Sequence, residues 1–151
     1  LAGKVGSNIA SEIGTMRISE QIDALDIMGV NSASYLILPK LIASTVMFPF
    51  LVLMAMSVGI CSGAIVGTMT KAVSLNDFVY GIQYDFDSYG IVYSLIKTIF
   101  FAFILSTIPA YHGYYASGGA LEVGKSSTKG VVYSMVAVMV ANYLLTQILL
   151  L

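Results

Sequence analysis

The chain is 151 residues long, 58% of it hydrophobic and only 10% charged, whereas soluble domains average about 25% charged residues. Seven basic and eight acidic residues give a net charge of −1, which excludes a nucleic-acid-binding surface built on a basic patch. The apolar content excludes a disordered chain, and the single cysteine excludes a disulfide scaffold and a cysteine zinc site. A membrane protein remains.

Residues 1–16 place small side chains at helical spacing, at Ala2, Gly6 and Ala10, but are too polar to cross a membrane alone. We interpret them as the inner end of a span that begins upstream. Leu1 is not a start methionine, and no signal peptide is visible. The sequence is therefore expected to be a fragment.

A short amphipathic helix is predicted in residues 17–30. Ser19 suits the N-cap, and Gly29 suits the C-terminal stop. The predicted apolar stripe consists of Ile18, Ile22, Leu25 and Met28 or Gly29.

The polar side of this helix is acidic, with Glu20, Asp23 and Asp26. Glu20 and Asp23 also suit the positive end of a helix. Helices that lie on a membrane surface usually carry Lys and Arg instead, because acids are repelled by anionic lipid. Docking in a groove of a protein partner is therefore favoured, and a helix lying on the membrane interface is the alternative.

Three membrane spans are predicted, at about 41–67, 89–109 and 130–151. A helix needs about 20 apolar residues to cross about 30 Å of hydrocarbon, and each range supplies them. The first and third ranges contain no charge, and the second contains only Lys97. Pro49 is expected to kink the first span.

The flanking basic residues predict the orientation, because cytoplasmic loops are enriched in Lys and Arg. Residues 1–40 and 111–130 would be cytoplasmic, and residues 68–88 and the C-terminus would face outward. The inner side then holds five basic residues, and the outer side holds one together with three acids: Lys4, Arg17, Lys40, Lys125 and Lys129 against Lys71, Asp77, Asp85 and Asp87.

Two features within the spans are candidates for function. Gly59, Gly63 and Gly67 form a row on which another helix could pack closely, either in the same subunit or in a second copy. Lys97 lies near the middle of its span, where a charge is costly and is a functional hypothesis by default. The alternative is that Lys97 extends its amine to the outer surface.

The stretch GALEVGKS, from Gly119 to Ser126, matches the phosphate-binding pattern G-x-x-x-x-G-K-[ST]. That motif requires a strand before the loop and a magnesium-binding Asp elsewhere, and the sequence offers neither. We therefore interpret the stretch as a flexible cytoplasmic loop whose Lys125 and Lys129 anchor the last span. An enzyme that binds nucleotide through Lys125 is the rival interpretation.

The stretch AGKVGSNIASEIGTMRISEQIDALDIMGV resembles the signature region of MlaE-type permeases, the membrane subunits of ABC transporters that move phospholipids. The similarity continues in family order through LIK, HGYYA, STKGVV and YLLT and covers essentially the whole chain. The chain departs from the family in two features. Asn142 stands where an acid is common, and the loop that contains GALEVGKS does not usually match the phosphate-binding pattern in the family.

The resemblance implies an all-α, polytopic transmembrane permease fold in which residues 1–151 form one domain. This fragment would hold three full spans and the end of a fourth out of five. Segment 17–30 would be the coupling helix that contacts the ATPase, through Arg17, Glu20, Gln21, Asp23 and Leu25. Lys97 would lie on the lipid path.

The resemblance also implies partners: a second permease copy, a cytoplasmic ATPase dimer, a periplasmic MCE-domain protein and membrane phospholipid. The location would be the bacterial inner membrane, although chloroplast inner-envelope proteins are similar. No catalytic residue, cofactor or metal is expected, since ATP hydrolysis would belong to the partner. A passive membrane scaffold or channel is the remaining alternative.

Overall fold

The computed structural model describes residues 2–84 and 88–150, which form helices and no strand. The helices are α1 (Ala2–Ile18), α2 (Gln21–Ile27), α3 (Ser32–Met69), α4 (Leu75–Tyr84), α5 (Ser88–Tyr114) and α6 (Ala120–Leu150). Three of them, α3, α5 and α6, are long and apolar enough to cross a membrane. The predicted all-α class with three long spans is confirmed.

Each span is longer than its apolar sequence suggests. The extra turns lie mainly at the ends that were predicted to be cytoplasmic, where α3 begins at Ser32 and α5 continues to Tyr114. The Asn31 side chain accepts a hydrogen bond from the Ser34 amide and caps α3. Hydropathy therefore located the apolar part of each helix but not its ends.

The first helix, α1, packs against both α5 and α6. Its small residues make this possible: a side chain on Gly6 would meet Pro109 at 3.3 Å, and one on Gly14 would meet Val123 at 3.1 Å. From the other side, a side chain on Gly113 would meet the carbonyl oxygen of Ala10 at 2.6 Å. The predicted small-residue face of α1 is thus a helix-packing surface.

Helix α3 packs on α5, and its buried residues all lie before Pro49. Phe48 is buried beside Ala102 and Leu105, and Lys40 makes a 2.9 Å ion pair with Glu12 of α1. From Pro49 to Met69 no residue of α3 is buried. The helix continues through Pro49, so the expected kink stays a prediction.

At the predicted outer end, α4 has no buried residue and packs on α3. Asp77 lies in its first turn. Asp85 and Asp87, which were expected in the same acidic loop, lie outside the described residues, as do Leu1 and Leu151.

Candidate functional site

The amphipathic segment begins differently from the prediction. Ser19 does not cap α2; its hydroxyl donates to the Thr15 carbonyl at 2.7 Å, and α1 extends to Ile18. Glu20 occupies the N-cap position with a left-handed backbone (φ 64°) and no side-chain capping bond. The Ser19 N-cap was therefore wrong, because the hydroxyl bonds back into the preceding helix.

The end of α2 agrees with the sequence. Gly29 adopts a positive φ of 81°, and its amide donates to the Asp26 carbonyl at 3.1 Å. The Val30 amide donates to the Leu25 carbonyl at 3.0 Å. This backbone conformation costs glycine least, which explains the stop at this position.

The apolar face of α2 is only partly buried. Ile22 is fully buried against Ile9, Ile13 and Ala110, whereas Leu25 is half-buried. Met28, which with Gly29 was one of two candidates for the end of the apolar stripe, is 73% exposed, and its neighbour Ile27 is 86% exposed. The outward face of α2 therefore combines two large apolar side chains with the exposed acids Glu20, Asp23 and Asp26.

Arg17 turns inward. Its Nη1 donates to Asp23 Oδ1 at 3.0 Å, and its Nε donates to the carbonyl oxygen of Tyr114 at 2.6 Å. The guanidinium also lies 4.5 Å from the centre of the Tyr114 ring. The Tyr114 hydroxyl is 2.8 Å from the Ser32 hydroxyl, so these side chains join α1, α2, α3 and α5 at one point.

A groove of about 310 Å³ opens between the end of α1, α2 and the start of α3. Gln21 and Leu25, two of the predicted contact residues, line it. Its other lining residues are mostly apolar: Met16, Ala24, Met28, Tyr35 and Leu36. Of the five predicted contact residues, Arg17 is bonded within the protein, to Asp23 and Tyr114. The other four lie on or beside the open face of α2: Glu20, Gln21, Asp23 and Leu25.

The glycine row of α3 is mostly uncovered. A side chain on Gly59 or Gly67 would meet no atom within 4 Å, and one on Gly63 would meet only the Phe78 ring, at 3.8 Å. Within the described residues, the row therefore has no long helix packed against it.

Lys97 is held between α5 and α6. Its amine donates to Asn142 Oδ1 at 2.7 Å and to Thr146 Oγ1 at 2.8 Å. It also lies 4.5 Å from the centre of the Tyr93 ring, and the Tyr93 hydroxyl is 3.0 Å from the Thr146 hydroxyl. These four side chains form the polar cluster of the spans.

The GALEVGKS stretch is not a loop. Residues from Ala120 onward form the first turns of α6, and Lys125 pairs with Glu122 at 3.6 Å. The expectation of a flexible loop was wrong, because the polar first turns of a helix leave no apolar pattern in the sequence. Helical geometry also commits backbone amides that a phosphate-binding loop would leave free.

Sequence reasoning missed Tyr114, Ser32, Tyr93 and Thr146. Each acts through a contact with a distant part of the chain, such as the pair Ser32 and Tyr114. Helical periodicity reports which face of one helix is apolar and does not report which helices meet. Tyr114 and Thr146 fall within the family stretches HGYYA and YLLT, but those stretches do not indicate the partners of the two side chains.

Comparison with known proteins gives a consistent result. The family model "Permease MlaE" matches residues 1–148. The chain is 37% identical over 148 residues to a probable ABC transporter permease protein of Rickettsia bellii, covering 98% of this chain and 57% of that protein. It is 30% identical over 149 residues to the intermembrane phospholipid transport system permease protein MlaE of Haemophilus influenzae, with 98% and 57% coverage.

A plant protein is also similar. The trigalactosyldiacylglycerol 1 protein, chloroplastic, of Arabidopsis thaliana is 38% identical over 147 residues, covering 97% of this chain and 42% of that protein. The chain thus spans about half the length of the curated relatives that it matches.

Proposed function

Since this chain belongs to the MlaE permease family, we propose that it forms most of the membrane-spanning permease subunit of an ABC transporter that moves phospholipids. The Haemophilus relative carries phospholipid transport in its name, and the Rickettsia relative is named as a probable ABC transporter permease. Three apolar helices supply the membrane domain that such a subunit requires.

The observation that carries the proposal is the outward face of α2. Ile27 and Met28 are among the more exposed apolar side chains of the chain, and they lie beside the acids Glu20 and Asp26 on a helix between two membrane segments. An apolar patch rimmed by charge is typical of a protein-docking surface. We assign the occupant as the cytoplasmic ATPase dimer, with α2 as the coupling helix.

The remaining partners follow from the same family. The subunit would pair with a second copy, exchange phospholipid with a periplasmic MCE-domain protein and reside in the bacterial inner membrane. ATP hydrolysis would take place in the partner ATPase, and the permease itself would make no covalent chemistry.

Coupling would pass through the junction at Arg17. Closure of the ATPase would push α2, and Arg17 would transmit the displacement to the end of α5 because it is bonded to Asp23 and to Tyr114. Two packings of the spans would then alternate around the lipid. Such a shift requires the nucleotide state to bind one packing more tightly than the other.

Lys97 is proposed to lie on the lipid path. Its amine is fixed by side chains of α5 and α6 and is therefore placed at the boundary between two spans. A charge at this depth is costly and is retained where it serves a ligand or a pathway.

The test is affinity purification of the full-length protein from membranes, with mass spectrometry of the bound proteins and lipids. We expect an ABC ATPase, an MCE-domain protein and phospholipid. Absence of any ATPase would favour a passive scaffold or channel. Binding of ATP by the isolated chain would favour the nucleotide-binding enzyme instead.

A further inference from the structure

The polar cluster of the spans holds a cation with neutral partners only. The Lys97 amine donates to an amide oxygen and a hydroxyl, on Asn142 and Thr146, and lies against the ring of Tyr93. Within residues 2–84 and 88–150, the ion pairs join other residues: Arg17 with Asp23, Lys40 with Glu12, and Lys125 with Glu122. The charge of Lys97 is therefore fixed in position without being neutralised by a described carboxylate.

The cluster is reachable from the side. Asn142 is exposed and Lys97 is half-buried. At 1.5 Å per residue, Lys97 lies about 14 Å along α5 from its start at Ser88. Tyr93 and Thr146 both lie one turn closer than Lys97 and Asn142 to the helix ends at Ser88 and Leu150, so the amine is directed toward those ends. A group bound here would approach the amine from beside α5 and α6.

We propose that this cluster is a head-group site that selects phospholipids of net negative charge, an inference that rests on the proposed function. An ammonium whose described partners are all neutral attracts a phosphate group by charge-assisted hydrogen bonding. It also repels the ammonium of a zwitterionic head group, so the two lipid classes differ in electrostatic energy at this point. The neutral acceptors keep the amine in place without competing for its charge.

The Lys97 amine would recognise a phosphate group, and that group could belong to a lipid or to a free phosphate ion. The position of Lys97 within a span favours the lipid, because the phosphate would have to remain beside apolar helix surface. Competition with inorganic phosphate separates the two sources.

The test uses the isosteric change Asn142→Asp, which places a carboxylate at the atom that Lys97 already contacts. The full-length complex is purified after exchange with vesicles of equal phosphatidylglycerol and phosphatidylethanolamine, and the retained lipids are quantified by mass spectrometry. The wild-type complex should retain an excess of phosphatidylglycerol. Asn142→Asp should lower the ratio by about threefold, the scale of a partly exposed ion pair.

The matched control is Asn8→Asp, the same amide-to-carboxylate change at an exposed position of α1. Asn8 lies two residues from Gly6, which faces Pro109, twelve residues along α5 from Lys97. This change should leave the ratio unaltered. Lys97→Gln provides a second variant that removes the cation itself, and it should give the same loss of selectivity even if Asn142→Asp impairs folding.

An equal ratio in the wild-type complex, or an unchanged ratio in Lys97→Gln, would overturn the selectivity. Loss of the excess in millimolar inorganic phosphate would show a free-phosphate site and would also overturn it. Failure of the proposed function is a separate result: the complex would then retain the lipid bias but show no ATP-dependent lipid movement.

Discussion

Arg17 donates from Nε to the main-chain oxygen of Tyr114 across 2.6 Å and so connects the last turn of α1 with the last residue of α5. The final carbonyls of a helix have no hydrogen-bond donor within that helix, so Arg17 supplies one. A cation at this end also interacts favourably with the negative end of the helix dipole. The same guanidinium binds Asp23 of α2. One side chain therefore fixes the position of α2 relative to a membrane span.

Arg17→Lys should weaken this junction while keeping its charge. Lysine lacks the planar guanidinium whose several N–H groups bond Asp23 and Tyr114 at the same time. We expect a loss of about 1–2 kcal/mol of stability, because a charge-assisted hydrogen bond is removed, and a lower ratio of lipid moved to ATP hydrolysed. Thermal unfolding in detergent and coupled transport measure both. Tyr114→Phe, which keeps the carbonyl and the ring, should have the smaller effect on coupling; equal effects would contradict the role of Arg17.

Glu20→Lys with Asp26→Lys should release the ATPase. Both acids are exposed on α2. Lysine at position 20 lowers helix stability by about 0.3–1 kcal/mol, because it places a cation at the positive end of the helix dipole. Lysine at position 26, near the negative end, raises helix stability by a similar amount, so α2 should stay formed. Reversing Asp23 instead would also break its pair with Arg17. Co-purification of the ATPase is the measurement.

If α2 lay on lipid, the same two lysines would strengthen attachment by about 1 kcal/mol each and leave the ATPase bound. Asp77→Lys on α4 is the matched control, since it reverses an exposed acid far along the chain from α2. Retention of a fully coupled ATPase by the double variant would refute the coupling-helix assignment.

Gly113→Ala should destabilise the protein by about 1–3 kcal/mol, the usual cost of overpacking. The new methyl would lie 2.6 Å from the carbonyl oxygen of Ala10, and main chain cannot move aside without separating α1 from α5. Gly124→Ala is the control, because nothing lies within 4 Å and alanine favours the helix. Unfolding temperatures in detergent should change in opposite directions.

Gly59→Leu tests whether the glycine row contacts another chain. Gly63, the middle glycine of the row, is less suitable because it already lies near Phe78, so Gly63→Leu would also displace α4. A side chain on Gly59 would meet no atom of another part of the described chain within 4 Å. A smaller assembly in detergent would indicate a second copy on the row, whereas unchanged mass would indicate lipid. Val58→Leu, one position away and exposed, is the control.

Lys125→Ala should leave ATP turnover and transport by the complex near normal. Lys125 lies on the first turns of α6, and its exposed pair with Glu122 contributes at most about 1 kcal/mol. Nucleotide binding by the isolated chain should be absent before and after the change. Binding that disappears with Lys125 would establish a nucleotide site.

The sequence was informative where a physical requirement acts along the chain. Crossing hydrocarbon demands a long apolar run, so three spans could be predicted from composition. A left-handed backbone conformation is favoured at glycine, which has no side chain to clash, so the end of α2 at Gly29 could be predicted as well.

Where the structure depends on which helices meet, the sequence was insufficient. The Ser19 hydroxyl could accept a hydrogen bond from the amides of α2 or donate one to the Thr15 carbonyl of α1. In the structure it donates to Thr15. The hydrogen-bond acceptors of Lys97 come from another helix, so they could not be identified from the residues beside Lys97 in the sequence.

The length of α3 has a consequence for the surrounding bilayer. Its charge-free part, from Leu41 to Met69, is about 43 Å long at 1.5 Å per residue, against about 30 Å of hydrocarbon. A helix of this length leans from the membrane normal or thickens the lipid around it. Because the buried residues of α3 all lie before Pro49, the lean would be taken up beyond that residue, and membrane thickness would then affect how far the Met69 end of α3 stands from the other spans.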